Sequence, residues 1–527
     1  MASSLGLDRA VIDQLNFDLA LRRVIHDTET DFIFAPHLTA IYHRAAESLH
    51  ASLRSMLQSG TFAPRLPLYL EVPKKSGFSR PGAILWPHDR LAYQAIVDLI
   101  APTAERALDR SQVFSSRLLA DDPQGFMFWP ASEAYEGFKR HTIAHSISGD
   151  FAFVLNADVA AYFERLNQHV LINLLSSVGC NHSAVMFLER LLSLFTQKDS
   201  HGLLQGLAPS DFLGTFFLLP IDSAHRMHQL TLLRYVDDIR IFFTTEREAQ
   251  LHLQALTSLL RKDGMSMNES KSQILEVSRF IREETEVDTL FFQAKEAARA
   301  AYSRSDFYRD TLAWDQSDFD DEEPVKRAES AQAAIHSLFD LSGVSPSTRL
   351  KINAFCVPCF ILAGDDFALD YVLAHYALHP SLAQIYARYL KYCVVANEAI
   401  VPRIAAILTS GALLFEFQSL WLVAALMSAE RLQAPLVDFV FRLVTRRESS
   451  EALRSAGALL VAKHGSAGQR HLLKTYYQDE QSAFVRSAIL YSAHYFPRAE
   501  RDTCFSAWGG HDEVNALVVI AAKSMGK

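Results

Sequence analysis

Cysteine is scarce, with five in 527 residues. An odd, small number in so long a chain excludes a disulfide scaffold and suits a reducing cytoplasm. A long uninterrupted apolar run is also missing. The greasiest stretch, GALLFEFQSLWLVAALMSAE, is broken by Glu416 and Gln418, so a buried helix is expected in place of a membrane span. The opening residues, MASSLGLDRAVIDQLNFDLALRR, carry acids early and have no signal-type apolar core. These features predict a cytoplasmic protein with no membrane partner. Surplus positive charge is absent too. The formal net charge of −9 gives no support to a uniformly basic, nucleic-acid-binding surface. Most of that charge is local: DFYRDTLAWDQSDFDDEE, residues 306–323, holds eight acids and one arginine and so supplies −7. The rest is near neutral and can carry local basic surfaces.

What is present describes a folded chain. Hydrophobic residues make up 49% and charged residues 21%, and the length points to about two to four domains. Residues 1–60 show helical spacing. TFAPRLPLYLEVPKKSGFSRPGAILWPHD, with its prolines, glycines and short β-friendly runs, predicts strands and loops. FAFVLNADVAAYFERL runs a strand into a turn, with Asp158 near the strand end, and LTLLRYVDDIRIFF predicts a hairpin. Helices and a strand near SQILEV complete a mixed α/β unit. The acidic segment predicts a solvated linker, and beyond about residue 328 the spacing is helical almost throughout. There, 449–465 and 479–496 share an apolar pattern carrying Arg-Ser-Ala, compatible with degenerate helical repeats.

LLRYVDDIRIFF poses the chemical question, because Asp237 and Asp238 put two like charges between apolar arms. In a hairpin turn both would lie at one sheet end, where repulsion raises their energy unless cations compensate. Asp158 offers a third carboxylate from another strand end. Hard divalent ions such as magnesium take oxygen ligands, and two such ions suit in-line phosphoryl transfer. A solvated turn carrying two acids by chance is the bland alternative.

The surrounding motifs resemble the catalytic core of reverse transcriptases, the RNA-directed DNA polymerases of right-handed palm type. Tyr235-Val236-Asp237-Asp238 resembles the aromatic-x-Asp-Asp motif, and Asp158-Val159-Ala160-Ala161-Tyr162-Phe163 the first palm motif. The resemblance implies that Asp158, Asp237 and Asp238 are catalytic and bind two Mg2+ ions, with Mn2+ as the substitute. It places Phe163 beneath the incoming sugar, where an aromatic crowds out a 2′-hydroxyl. Gly202-Leu203-Leu204-Gln205-Gly206 with Ser210 resembles the Pro-Gln-Gly motif, which assigns Gln205 to the incoming nucleotide or the template beside it. Leu204, Asp211 and Thr215 depart from the family's two prolines and asparagine. GMSMNESK, residues 264–271, resembles the palm element whose lysine, here Lys271, lies near the triphosphate. Lys74 and Arg80 resemble the basic finger residues that grip it, Arg80 being the better clamp because its fork matches phosphate geometry. Ser116-Arg117 has the look of a segment packing fingers against palm. Tyr235, Gly206, Ser210 and Arg117 are thus motif support.

The fold class implied is α/β. A fingers-palm core with an antiparallel palm sheet is followed by an all-α, helical-repeat (HEAT-like) domain in place of a conventional thumb. The expected boundaries are 1–115 for N-terminal helices and fingers, 116–290 for the palm, 291–327 for the linker and 328–527 for the helical domain. A zinc-ligand cluster, an RNase H constellation and the Val-Thr-Gly of retron enzymes are not found. Cys356-x-x-Cys359 stands alone within helical sequence and is read as core. This arrangement resembles bacterial abortive-infection and other defence-associated reverse transcriptases. It implies dNTPs as substrates, DNA as product, an RNA template or associated non-coding RNA, homo-oligomers, and in some members untemplated or protein-primed synthesis. For protein priming Tyr476, Tyr477, Tyr491 and Tyr495 are available hydroxyls. A catalytically inactive palm scaffold and a group II intron-type enzyme are the alternatives.

Overall fold

The computed structural model describes residues 5–119, 122, 124–197, 199–301 and 325–525. The acidic segment 306–323 lies outside the described residues. Within them the strands are β1 (Leu68–Pro73), β2 (Ser79–Ile84), β3 (Phe153–Ala157), β4 (Leu232–Tyr235), β5 (Asp238–Phe243) and β6 (Gln273–Glu276). The chain divides into two compact units. One comprises Met1–Asp27, Glu47–Pro67 and Leu85–Glu286; the other comprises Thr28–Ala46, Leu68–Ile84 and Val287–Lys527. Both units therefore draw on residues 1–115.

The first unit is built on an antiparallel sheet of order β4-β5-β3-β6. Val154 pairs with Phe242 and with Leu275 across the three strands. With Leu233, Phe138 and Phe280 these residues form one apolar core. The alternate positions Leu155, Ile239 and Ile241 are buried as well, as a pleat covered on both faces requires. Helix Ala131–Ile147 packs on β4 and β5, and helix Glu246–Lys262 on β3, β5 and β6. The latter starts at a capping box in which Thr245 and Glu248 satisfy each other's backbone N–H groups. Arg240, in the middle of β5, lies over the rings of Phe138 and Phe280 at 4.5 and 5.1 Å. It also pairs with Glu284 at 3.1 Å.

The second unit holds the hairpin of β1 and β2, in register from Leu68↔Ile84 to Pro73↔Ser79. Its other described elements are helices. Helix Glu416–Leu426 is the stretch that could have been mistaken for a membrane span, and its interruptions have structural duties. Buried Gln418 donates to the Tyr376 carbonyl at 3.1 Å and accepts from the Leu414 and Phe415 N–H groups at 3.1 and 3.2 Å. Glu416 accepts from the Ser450 N–H at 2.8 Å. Among the described residues no helix is long and apolar enough to cross a membrane. The two Arg-Ser-Ala segments form helices Glu451–His464 and Ala483–Ser492, which pack directly on each other. Cys356 and Cys359 are buried, free thiols of one helix, Pro346–Ala363. A short N-terminal helix, Pro36–Arg44, packs against Ala483–Ser492 and Glu513–Ser524, so both ends of the sequence build this unit.

Candidate active site

Tyr235 pairs with Asp238, which leaves Val236 and Asp237 as a two-residue turn between β4 and β5. Val236 has φ 54°. For a β-branched side chain this left-handed conformation is strained, and it persists only where its surroundings over-determine it. Those surroundings are identifiable. The Val236 N–H donates to Ser115 Oγ at 2.9 Å, and Arg234 Nη1 donates to the Val236 carbonyl at 3.0 Å. Arg234 is completely buried and forms a two-pronged pair with Asp222, Nε–Oδ1 2.9 Å and Nη2–Oδ2 2.6 Å. Its Nη2 also donates to the Thr215 carbonyl at 3.0 Å, and Ser115 and Thr215 hydroxyls stand 3.1 Å apart. Burial opposes the guanidinium charge, but Asp222 more than offsets this and holds its pKa above the ordinary value.

Asp158 follows β3 and is 7% exposed. The segment Gly264–Ser272 zips onto it. Ala160 N–H donates to the Ser266 carbonyl at 2.8 Å, Asn268 N–H to the Asp158 carbonyl at 2.7 Å, and Asp158 N–H to Ser272 Oγ at 3.1 Å. This docking carries Lys271 to the carboxylate, with Nζ 3.0 Å from Asp158 Oδ2. The hydrogen bond that Lys271 donates to Asp158 raises the Lys271 pKa, and the charges of Asp237 and Asp238 act in the same direction. Burial first, then the charge of Asp158, pushes Asp237 up to about 6. Asp238 is raised by burial and by Asp158, while Arg240 opposes the shift. The three carboxylates therefore share one electrostatic neighbourhood.

The Gln205 segment arrives beside Asp158 through the backbone. Leu203 N–H donates to the Phe163 carbonyl at 2.7 Å and Gly202 N–H to the Leu166 carbonyl at 2.8 Å. Gly202 has φ +88°, and a Cβ there would meet the Glu164 carbonyl at 3.2 Å, so glycine is needed. Gly206, at φ 92°, has the same conformational need. Gln205 Nε2 lies 3.4 Å from Glu164 Oε1. The half-buried Phe163 ring fills the space over Gly214, where a Cβ would stand 2.8 Å from it. Ser210 is internal, its hydroxyl 3.0 Å from Tyr93 Oη. Arg117 lies over the Trp129 ring at 4.8 Å, and the Tyr235 ring meets Tyr135 edge-on at 5.1 Å.

Lys74 and Arg80 belong to the other unit. Lys74 is exposed at the β1–β2 turn, and Arg80 lies over Phe32 at 4.5 Å. Sequence reasoning passed over Arg234, Asp222, Ser115 and Ser272. A signal was available for the first two. Arg234 is a lone charge in an apolar strand and Asp222 a lone acid in FFLLPID, and buried charges require each other.

Among the described residues no group of three or more His, Cys, Asp or Glu side chains stands ready-made to hold a metal ion. Lys271 sits on one of the three aspartates. The donor chemistry nonetheless suits a hard divalent cation: Asp158 is close enough to Asp237 and Asp238 to help raise the pKa values of both.

Residues 72–297 match the family model described as reverse transcriptase (RNA-dependent DNA polymerase). The antiparallel sheet with its flanking helices is consistent with the fingers-palm-like core of that family. No curated protein matches the chain. Among solved structures it is similar to telomerase from Candida albicans in complex with a TWJ fragment of telomeric RNA. That similarity has 10% identity and a TM-score of 0.31, over 64% of this chain and 66% of that one, just under two-thirds of its length. Apo telomerase from Candida tropicalis gives 10% identity and a TM-score of 0.31, over 87% of this chain and 69% of that one.

Proposed function

We propose, from the presence of a reverse-transcriptase domain at residues 72–297, that the protein is a DNA polymerase adding dNTPs by nucleotidyl transfer. The family match supports an enzyme of polymerase or nucleotidyltransferase type in general. The observation carrying the finer reading is the gathering of Asp158, Asp237, Asp238 and Lys271 around one strained, internally braced turn. Asp158, Asp237 and Asp238 are the residues to hold two Mg2+ ions, or Mn2+, which when bound activate the attacking hydroxyl and stabilise the leaving phosphate. A primer 3′-hydroxyl, or a protein hydroxyl at initiation, attacks the α-phosphorus of the dNTP and pyrophosphate leaves. Lys271 is placed to release Asp158 and turn its ammonium to phosphate oxygens as substrate enters. Family resemblance gives Arg80 and Lys74 the same triphosphate, and gives Gln205 the nucleotide or template beside it. Phe163 excludes the 2′-hydroxyl. Phe163→Ala should relax the preference for dNTPs over NTPs by about 10-fold or more, the scale of a single pocket contact; an unchanged ratio in competition assays contradicts the steric role.

The helical C-terminal region supports a more specific proposal, that the chain is a defence-associated, abortive-infection type of reverse transcriptase with a HEAT-like domain, acting as a homo-oligomer in the cytoplasm. Incubating purified protein with dNTPs, with and without RNA, then digesting with protease and sequencing the DNA, tests the biochemical core. Incorporation supports the polymerase. RNA dependence separates templated from untemplated synthesis, and a protease-sensitive mobility shift reports attachment to protein. No incorporation under any condition favours a scaffold that has lost catalysis.

A further inference from the structure

The helical unit contains a cavity of about 690 Å3 that the polymerase reading leaves without a role. It lies where the N-terminal helix Pro36–Arg44 joins the C-terminal helices, and its lining is one-signed. Arg44, Lys391 and Lys463 face it together with His43, and among the described residues its lining contains no aspartate or glutamate. Hydroxyl groups of Ser428 and Tyr495 add polar contacts to the wall. Arg44 comes from a segment more than 300 residues away in sequence from the two lysines, so the cations are gathered by the fold. Lys463 is anchored by donating to the Met427 carbonyl at 2.6 Å, which leaves its two remaining ammonium protons for other acceptors. Glu398 acts on Lys463 electrostatically but does not line the cavity.

A concave site with several cations and no lining carboxylate focuses positive potential. One carboxylate would use a single cation, whereas a chain of phosphates offers acceptors to all three, including the forked guanidinium of Arg44. The volume is that of a site for a molecule of nucleotide size. We infer that this cavity binds the polyphosphate of a nucleotide, either a free nucleoside triphosphate or the triphosphorylated 5′ end of a strand. It is a binding site separate from the carboxylate turn. The inference does not rest on polymerase activity, because binding here requires no turnover.

Calorimetric titration of the full chain in chelator tests it, since divalent-dependent binding at the carboxylates is then removed. The probe is inorganic tripolyphosphate. Wild type should bind with a dissociation constant of about 1–100 μM, and Asp237→Asn should bind as tightly. Arg44→Ser combined with Lys391→Ala should weaken binding by about tenfold or more. Arg44→Gln alone, at an exposed position that leaves the core intact, should weaken it measurably and guards against loss of folding in the double variant. Displacement by dATP but not by 5′-triphosphorylated oligothymidylate assigns a free nucleotide, and the opposite pattern assigns a strand end. No binding by wild type, or undiminished binding by the Arg44 and Lys391 variants, overturns the inference.

Discussion

Among the described residues two short β-hairpins have turns that are maintained in opposite ways. Between β1 and β2 the turn is exposed, with Phe78 76% accessible. Its left-handed position is Gly77 at φ +85°, with nothing within 4 Å of where a Cβ would stand. Glycine makes that conformation free of steric penalty. Between β4 and β5 the left-handed position is Val236, held by a hydrogen bond from its own N–H to Ser115 Oγ and by one from Arg234 to its carbonyl. One turn is set by local residue choice, the other by a scaffold drawn from three distant segments. The difference indicates what the second turn is for: it fixes Asp237 and Asp238 against Asp158 despite like-charge repulsion, which an unbraced glycine turn would relieve by moving.

Removing the scaffold should have the largest effect. Asp222→Ala leaves Arg234 charged and unpaired in the interior, and breaking a buried pair of this kind costs about 3–5 kcal/mol. Thermal unfolding should move down by about 10 °C, whereas an unchanged melting temperature contradicts the brace. Ser115→Ala is milder. It removes the acceptor of the Val236 N–H, a loss of about 1 kcal/mol or somewhat more, and nucleotide incorporation should fall about tenfold. Because the bond restrains a strained residue, Val236→Gly should shrink the effect of Ser115→Ala. Equal effects in both backgrounds would erase the contrast between the hairpins.

The smallest effect concerns charge. Burial, and then the charge of Asp158, push the Asp237 carboxyl up from its ordinary 3.8 to about 6. The favourable contribution of its protonated form is complete below about pH 4 and is lost as pH rises through about 6. In chelator, Asp237→Asn should therefore raise the melting temperature at pH 7 by about 2–4 °C, with the gain vanishing near pH 4. A gain independent of pH would rule out repulsion at the turn.

Much of this was legible in the chain. Apolar arms around Asp237-Asp238 predicted the hairpin, and the spacing of Asp158, Gln205 and Lys271 named segments that the backbone then joins. The brace was harder to read because its members are single residues separated by many positions, as Ser115 is from Val236. Hydrogen-bond partners at such separations leave no periodic pattern. The helix Pro36–Arg44 was readable as a helix, but its place among C-terminal helices depends on long-range packing that spacing does not encode.

The proposed nucleotidyl transfer depends on the braced carboxylates. Its most direct test is incorporation of radiolabelled dNTP by wild type and Asp237→Ala, each first shown by circular dichroism and size-exclusion chromatography to have the same fold and oligomeric state. Wild type should incorporate label only with added Mg2+ or Mn2+, and Asp237→Ala should fall by about 10⁴-fold or to background. Undiminished incorporation by folded Asp237→Ala would contradict the account.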